Sequence, residues 1–309
     1  MNLEAFILGC GGMMPLPNRH LTSVLLRREG ELFLFDAGEG TQVALRKLNL
    51  KWKKITAIFI SHTHADHITG LPGILMLSSQ VDRDEPLYIF GPPKVRAFIE
   101  SCRQILDMYI NYEIVVHDIV DEEEIFSRQD FRIRCFKLEH TKPCFGYTLE
   151  EKPRPGKFSP DLAKKYNVPM GPLWAKLQTG EDVKNDAGTL VKSSDVVGPL
   201  RKGRKFSYVT DTLYLDSIAG EVKDSDLFVC EAMFAKGLEA DAKEKKHMTC
   251  TQAATIARDA KVKKMALIHY SPRYTKADLH QNLADAQMVF PHTILSKDGL
   301  VLPIEYEET

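Results

Sequence analysis

The stretch Ser61-His62-Thr63-His64-Ala65-Asp66-His67 follows directly after a continuous apolar run, Ile55 to Ile60. That run is rich in β-branched residues, which predicts a strand buried on both faces. Three imidazoles and one carboxylate within six residues are hard to explain as core packing. Neutral imidazole and carboxylate are ligands that a borderline cation such as Zn²⁺ binds. The stretch therefore predicts a metal site at the end of a buried strand.

The spacing of these side chains favours two ions rather than one. His62 and His64 alternate in strand fashion, so we expect them to share one face and to hold one ion. Asp66 and His67 lie just past a turn and can serve a second ion.

Three further ligand candidates each follow a predicted strand. They are His140 after Phe131 to Leu138, Asp211 after Phe206 to Val209, and His269 after Met265 to Ile268. A single histidine at a strand end is more often structural than functional. Three such residues after the motif strand are much less easily explained by accident, and the carboxylate of Asp211 can bridge two cations.

The predicted elements fall into two groups in which strands are followed by helices. The remaining strands are Ala5 to Leu8, Ser23 to Leu26, Leu32 to Phe35, Glu113 to Val116 and Leu227 to Val229; the helices are Ile68 to Val81, Pro93 to Ile110 and Thr251 to Ala260. This order favours two sheets packed face to face with helices outside.

The composition is that of an ordinary soluble enzyme, with 309 residues, 44% hydrophobic and 27% charged. The net charge of −1 indicates no particular class of partner. Six scattered cysteines without a C-x-x-C pair suggest reduced thiols. Since no apolar stretch is long enough to span a bilayer and the N-terminus has the pattern of a strand, we expect a cytoplasmic protein without a membrane partner.

The segment from Glu151 to Lys205 differs from the rest of the chain. It is interrupted by prolines and carries twelve Lys/Arg against six Asp/Glu, a net charge of +6, which leaves −7 on the remainder. Such a segment is either a solvated surface loop or a basic arm that binds RNA phosphates with salt-dependent affinity. We favour the arm because the rest of the chain is acidic.

The motif from His62 to His67 resembles the H-x-H-x-D-H motif of the metallo-β-lactamase superfamily. The resemblance implies an α/β fold, a four-layer αβ/βα sandwich with the metals at one edge. His62, His64 and His140 would hold one zinc ion, Asp66, His67 and His269 the other, and Asp211 would bridge them. Manganese or iron in place of zinc is left open.

Other motifs resemble one branch of that superfamily, the ribonuclease Z family of tRNA 3′-processing endonucleases. They are Phe35-Asp36-Ala37-Gly38-Glu39-Gly40-Thr41-Gln42, Glu231-Ala232-Met233-Phe234 followed by His247, and His269-Tyr270-Ser271-Pro272-Arg273-Tyr274. The resemblance implies that the protein removes the 3′ trailer from precursor tRNA and leaves a 3′-hydroxyl. One loop departs from the family pattern: in Pro15 to His20, Pro17 replaces a basic residue and His20 an asparagine, which concerns the treatment of the CCA end.

The resemblance also implies an arm that clamps tRNA. Pro169-Met170-Gly171-Pro172 is similar to the Gly-Pro-containing arm of the family. We therefore expect a single domain over residues 1–309 with an inserted basic arm at about 151–182. In the arm, Lys164, Lys165, Gly171 and Pro172 are candidate substrate contacts. Members of the family are usually homodimers, and we expect one here.

Three roles follow for residues around the metals. Asp66 would orient or deprotonate the attacking water, and His247, oriented by Glu231, would give a proton to the departing 3′-oxygen. Arg273 and Ser271 are candidate contacts to the substrate.

Two other functions fit part of the pattern. The same metal site could serve a small-molecule hydrolase (a phosphodiesterase, lactonase or thioesterase), or the chain could bind RNA with a degenerate site. The intact ligand set argues against the second, and the basic arm with the Glu231/His247 pair argues against the first. A dinucleotide site at Gly9-Cys10-Gly11-Gly12 is set aside because the full G-x-G-x-x-G and a following helix are missing.

Overall fold

The computed structural model describes residues 2–81 and 83–307. Its chain divides into two compact units. The first, which we call the body, comprises the chain through Leu149 and then Lys205–Glu305. The second, which we call the arm unit, comprises Glu150–Arg204 together with Tyr306 and Glu307.

Strands and helices alternate through most of the chain. The strands are β1 (Leu3–Gly9), β2 (Ser23–Arg28), β3 (Glu31–Phe35), β4 (Ile55–Phe59), β5 (Leu87–Gly91), β6 (Ile114–Asp118), β7 (Glu123–Ser127), β8 (Phe131–Leu138), β9 (Cys144–Glu151), β10 (Val183–Lys184), β11 (Leu190–Val191), β12 (Lys205–Val209), β13 (Leu227–Glu231), β14 (Met265–Ile268), β15 (Thr293–Leu295) and β16 (Val301–Pro303). The α-helices are α1 (Thr41–Lys47), α2 (Ala65–Ile68), α3 (Leu71–Ser79), α4 (Lys94–Ile105), α5 (Pro160–Lys165), α6 (Pro172–Gln178), α7 (Ser193–Val196), α8 (Ile218–Glu221), α9 (Glu239–Lys245), α10 (Cys250–Asp259) and α11 (Lys276–Gln287), and Trp52–Lys54 form a 3₁₀ turn.

Two seven-stranded mixed sheets build the body. The first has the order β16-β1-β2-β3-β4-β5-β6, and the second β15-β14-β13-β12-β9-β8-β7. Strands β3 to β6 of the first sheet are parallel, as are β12 to β15 of the second. In parallel strands the carboxyl ends meet at one edge, so residues that follow these strands gather there.

The sheets pack face to face through aromatic side chains. The rings of Phe33 and Phe131 lie 5.6 Å apart, and those of Phe35 and Phe206 lie 5.2 Å apart, each pair joining the two sheets. Strand β4 contributes alternate residues to two cores: Phe59 belongs to the core between the sheets, whereas Ile58 belongs to the core under the helices. This pattern is what a strand buried on both faces requires. The predicted αβ/βα sandwich is confirmed.

The predicted helix from Ile68 to Val81 was wrong in its boundaries: Ile68 is the last residue of α2, the chain turns at Gly70, and α3 runs only from Leu71 to Ser79. The amide of Gly70 donates to the carbonyl of Ala37 at 2.8 Å, and a β-carbon there would lie 2.3 Å from the carbonyl oxygen of Gly38. This close backbone approach requires glycine and joins the end of α2 to the loop after β3.

The arm unit has a small core of its own. Its buried apolar residues come from α5, α6, α7, the loop between α5 and α6, and the β10–β11 hairpin: Ala163, Val168, Leu177, Val183, Val191 and Val196. The two chain segments that lead into it run side by side, since the amide of Glu151 donates to the carbonyl of Arg204 at 2.9 Å. The Arg204 guanidinium also binds the Glu151 carboxylate at 2.8 Å, and both side chains are buried. An antiparallel bridge between Arg154 and Arg201 continues this stem.

Among the described residues, no helix is both long and apolar enough to cross a membrane.

Candidate metal centre

The histidine-rich motif lies where β4 ends and α2 begins. Strand β4 ends at Phe59, so His62 and His64 lie in the following loop and not in the strand from which their spacing was argued. Their rings nevertheless converge, with Nε2 of His62 2.8 Å from Nδ1 of His64. Asp66 and His67 lie on α2, and both are buried.

A first group of ligand atoms forms around the two loop histidines. His140, which follows β8, places its Nε2 3.1 Å from Nδ1 of His64. Oδ2 of Asp211 lies 3.7 Å from Nε2 of His62 and 3.6 Å from Nε2 of His140. These four residues form one cluster that could hold a metal ion.

A second group lies on the other side of Asp211. Oδ1 of Asp211 lies 3.2 Å from Nε2 of His67 and 3.0 Å from Nε2 of His269. Oδ2 of Asp66 lies 3.7 Å and 3.9 Å from the same two nitrogens. Because its two oxygens face different groups, the carboxylate of Asp211 joins them, and the structure brings all seven predicted ligand residues together.

The donor atoms of this centre fit a cation. Nε2 of His67 and Nε2 of His269 are buried, and within the described part of the chain neither makes a hydrogen bond of acceptable geometry, although Oδ1 of Asp211 lies 3.2 Å and 3.0 Å from them. A buried polar atom without a partner is costly unless a ligand satisfies it. Five imidazoles and two carboxylates converge here, which is the donor set of a borderline divalent metal. The site thus supports metal dependence.

Asp36, at the end of β3, supports the motif from behind. Its Oδ2 accepts hydrogen bonds at 2.7 Å from Nδ1 of His67, from the hydroxyl of Ser61 and from the hydroxyl of Tyr208. Its Oδ1 accepts from the amide of Ser61 at 2.7 Å. The bond to Nδ1 turns Nε2 of His67 toward Asp211.

The pKa values of the buried histidines differ with their neighbours. Burial lowers the pKa of His62 well below its usual value, and the neighbouring His67 ring adds to this, so His62 is neutral as a metal ligand must be. Burial would also lower the pKa of His67, but the charges of Asp211 and Asp36 raise it well above its usual value in the metal-free protein.

His247 and Glu231 form a pair beside the first group. Nδ1 of His247 lies 3.1 Å from Oε1 of Glu231, and Nε2 lies 3.9 Å from Oδ2 of Asp211. The amide of Thr212 donates to the same Glu231 oxygen at 2.8 Å. Burial alone would lower the pKa of His247, but the charge of Glu231 and its hydrogen bond to the ring raise it to about 9.

Arg273 lines the cleft above the metal groups, together with Met13, Thr141, Met233, Phe234 and Lys245. Its Nε donates to the hydroxyl of Ser271 at 2.9 Å, and its guanidinium lies 5.2 Å from the centre of the Phe234 ring. Ser271 itself is 1% exposed. Arg273 therefore faces the cleft, whereas Ser271 lies beneath it and holds the guanidinium.

The residues predicted in the arm lie on its surface. Lys164, Lys165, Gly171 and Pro172 are all exposed, at the end of α5 and the start of α6. The Trp174 indole packs against Phe158 with ring centres 5.2 Å apart and donates to the carbonyl of Val168 at 3.0 Å. These two rings therefore belong to the packing of the arm unit.

Two residues of the site were not among the site residues predicted from the sequence. Asp36 stands inside a quoted motif but was given no role; its position at the end of β3, beside β4, is a signal that would have placed it at the same edge. Thr22, whose Oγ1 lies 2.6 Å from Nδ1 of His269, had no such signal.

Family models match both halves of the chain. Residues 3–163 match the model described as anti-Pycsar protein Apyc1, and residues 182–270 match the model of a beta-lactamase superfamily domain. The human tRNase Z, short form, whose crystal structure is known, shares 28% identity and a TM-score of 0.72, covering 98% of this chain and 99% of its own.

Relatives named ribonuclease Z match over the full length. That of Treponema denticola is 69% identical over 308 residues, covering 100% of both chains. That of Borrelia recurrentis is 42% identical, covering 98% of this chain and 97% of its own. The residues that the two family models match lie within this full-length match. The chain therefore belongs to the ribonuclease Z family, hydrolytic endoribonucleases of the metallo-β-lactamase superfamily.

Proposed function

We propose that this chain removes the 3′ trailer from precursor tRNA by hydrolysing one phosphodiester, with a 3′-hydroxyl left on the tRNA. The observation that carries the proposal is the pair of ligand groups joined by Asp211, with the Glu231–His247 pair beside them. The names of the full-length relatives and of the human structure support tRNA as the substrate.

Two zinc ions per chain are the metals that we propose, with manganese or iron as alternatives. One would be held by His62, His64 and His140, the other by Asp66, His67 and His269, with Asp211 between them. Such a pair of cations neutralises charge that develops on the phosphoryl oxygens and makes a water more acidic.

Asp66 is the proposed base. Its Oδ2 faces His67 and His269 and also accepts a hydrogen bond from the amide of Met13 at 2.7 Å. That bond fixes the carboxylate, which is only 9% exposed, in the wall of the cleft. Held in this way, Asp66 can orient the attacking water or take its proton.

His247 is the proposed proton donor to the departing 3′-oxygen. The buried Glu231 holds Nδ1, so Nε2 is the atom that points toward the ligand groups. General acid catalysis of this kind contributes typically about 10²–10⁴-fold. Arg273 would contact a phosphate, with Ser271 fixing its guanidinium.

The arm unit is the proposed tRNA-binding element. Its exposed Lys164 and Lys165 can pair with phosphates, and the exposed turn at Gly171 and Pro172 offers backbone contacts. The homodimer and the cytoplasmic location expected from the sequence stay predictions.

The test is cleavage of an end-labelled precursor tRNA by the zinc-loaded protein. We expect a single cut near the base of the acceptor stem, loss of the cut in Asp66→Ala, and slower turnover in His247→Ala with zinc content unchanged. In a third variant a short Gly/Ser turn replaces residues 155–200, so that the Arg154–Arg201 bridge is kept. It should cleave a small phosphodiester as the full chain does but process precursor tRNA poorly.

Hydrolysis of a small phosphodiester or thioester with the precursor left intact would refute the tRNA substrate and leave the metal chemistry standing. Loss of zinc in His247→Ala would refute the role of His247 as a proton donor outside the ligand set.

A further inference from the structure

The imidazole of His269 is enclosed on two sides by the first part of the chain. On one side, Oγ1 of Thr22 lies 2.6 Å from Nδ1. On the other side, a β-carbon added to Gly12 would lie 2.6 Å from Nε2 and 2.7 Å from Cε1. Both Thr22 and His269 are 0% exposed.

The hydroxyl of Thr22 fixes which nitrogen of His269 carries the proton. A threonine hydroxyl has one proton to give, and Oγ1 donates it to the carbonyl of Gly11 at 2.9 Å. Toward Nδ1 the same oxygen must therefore accept. Nδ1 then carries the ring proton, and Nε2 presents its lone pair toward Asp211 and Asp66.

The backbone on either side of His269 is tied to the same early segment. The amide of Tyr270 donates to the carbonyl of Cys10, and the amide of Gly12 donates to the carbonyl of Tyr270, both at 3.0 Å. His269 itself has a φ of +57°, a left-handed conformation that non-glycine residues rarely adopt. These two bonds hold the backbone in that conformation.

Glycine at position 12 leaves the space that Nε2 needs. Its absent β-carbon would also lie 2.6 Å from Cε of Met233, so a methyl group there would be pressed between the two side chains. The imidazole, held by Thr22 from behind, could escape only by turning Nε2 away from the ligand group. The glycine-rich segment after β1 is thereby explained without a dinucleotide.

We propose that Thr22 and Gly12 are positioning residues for the metal ligand His269, one fixing its tautomer and the other its ring position. The proposal rests on the proposed metal-dependent function and concerns one of the two ions. Groups that act on a metal ligand in this way typically change metal affinity or activity by about 10–100-fold.

The test measures zinc affinity by competition with a chelating dye in three variants. Thr22→Val removes the hydroxyl and keeps the shape, and Thr22→Ser restores it; Gly12→Ala keeps the hydroxyl and fills the space. We expect Thr22→Val and Gly12→Ala each to lower the affinity for one of the two zinc ions about 10–100-fold. The other ion should be retained, because His62, His64 and His140 do not touch this segment in the described hydrogen bonds. Thr22→Ser should bind both ions as the unsubstituted protein does.

Thr293→Val is the matched control. Thr293 is also buried, and its hydroxyl donates to the carbonyl of Phe290 at 2.6 Å. It pairs with Met265, at the amino end of β14, whereas His269 follows the carboxyl end of that strand. Thr293→Val should keep both zinc ions, which separates the loss of a buried hydroxyl from the loss of this particular one.

If Thr22→Val binds each of the two ions as tightly as the unsubstituted protein does, the role of Thr22 is overturned. The same result in Gly12→Ala overturns the role of Gly12. If Thr22→Val does not fold, Thr22→Ser and Gly12→Ala still decide: weak binding in Thr22→Ser contradicts the proposal, as does normal binding in Gly12→Ala. If the unsubstituted protein binds neither zinc, manganese nor iron, the proposed metal-dependent function fails instead, and the two failures are distinguishable.

Discussion

The carboxylate of Asp36 accepts four hydrogen bonds, one of them from Nδ1 of His67 at 2.7 Å. Every partner is a donor, and Asp36 is 0% exposed. An asparagine there would turn an amide group toward at least one donor. We expect Asp36→Asn to lower the free energy of unfolding by about 1–3 kcal/mol, or more because a charge is involved, measured by urea denaturation.

Asp118→Asn is the control for that measurement. Asp118 binds Arg96 at 3.0 Å, and both side chains are more than a third exposed, so its loss should cost at most about 1 kcal/mol. A similar loss of stability in both variants would contradict the stabilising role of the buried, hydrogen-bonded Asp36 carboxylate. A loss in Asp36→Asn alone, with weaker zinc binding, would support it.

The Glu231–His247 pair predicts that the stability of the metal-free protein depends on pH. Because the pKa of His247 is raised to about 9 in the folded state, the pair stabilises the fold fully below the usual histidine pKa of about 6.5, and this contribution is lost as the pH rises through 9. We expect the imidazole, followed by NMR, to titrate near pH 9. In Glu231→Gln its pKa should fall; an unchanged pKa would refute the coupling.

The exposed side chains of Lys164 and Lys165 predict that the affinity for precursor tRNA depends on the salt concentration. The double variant Lys164→Glu/Lys165→Glu should weaken the binding of precursor tRNA. The slope of log affinity against log salt should become shallower by about 1 for each phosphate that the two lysines neutralise. Cleavage of a small phosphodiester should be unchanged. Lys261→Glu/Lys264→Glu makes the same charge change at exposed positions of the body. An equal effect of both double variants would indicate a response to net charge alone.

Because the arm unit has a small core of its own, we predict that it can unfold while the body stays folded. Leu177 is 0% exposed in a cluster of six small or branched side chains, and Leu177→Ala should cost about 2–5 kcal/mol in that unit. Hydrogen exchange should then become faster across 150–204 and stay slow in the two sheets of the body. Faster exchange throughout the body as well would show that the two units unfold together.

The sequence was most informative where residues follow strands. Asp211 and His269 come together because the predicted strands before them, β12 and β14, exist and lie among parallel strands whose carboxyl ends meet at one edge. His140 also follows a predicted strand, but β8 is antiparallel to β7, so its position at the same edge does not follow from that rule. Strand β9 (Cys144–Glu151) was not predicted from the sequence. Its burial depends on strands distant in sequence.

Contacts between distant segments account for the rest of what was missed. Thr22 precedes His269 by 247 residues, and no local pattern announces their hydrogen bond. The core of the arm unit was hidden because its buried residues are few and separated by prolines and charges.

The stem that closes the arm unit has an evolutionary consequence. Where Glu151 meets Arg204, the chain leaves the sandwich and returns to it through neighbouring residues. A segment inserted between two such points can be lengthened, shortened or exchanged without shifting the register of the strands on either side. Under the proposed role of the arm unit, substrate recognition can therefore diversify by replacement of this whole inserted segment, while the metal ligands in the body stay in place.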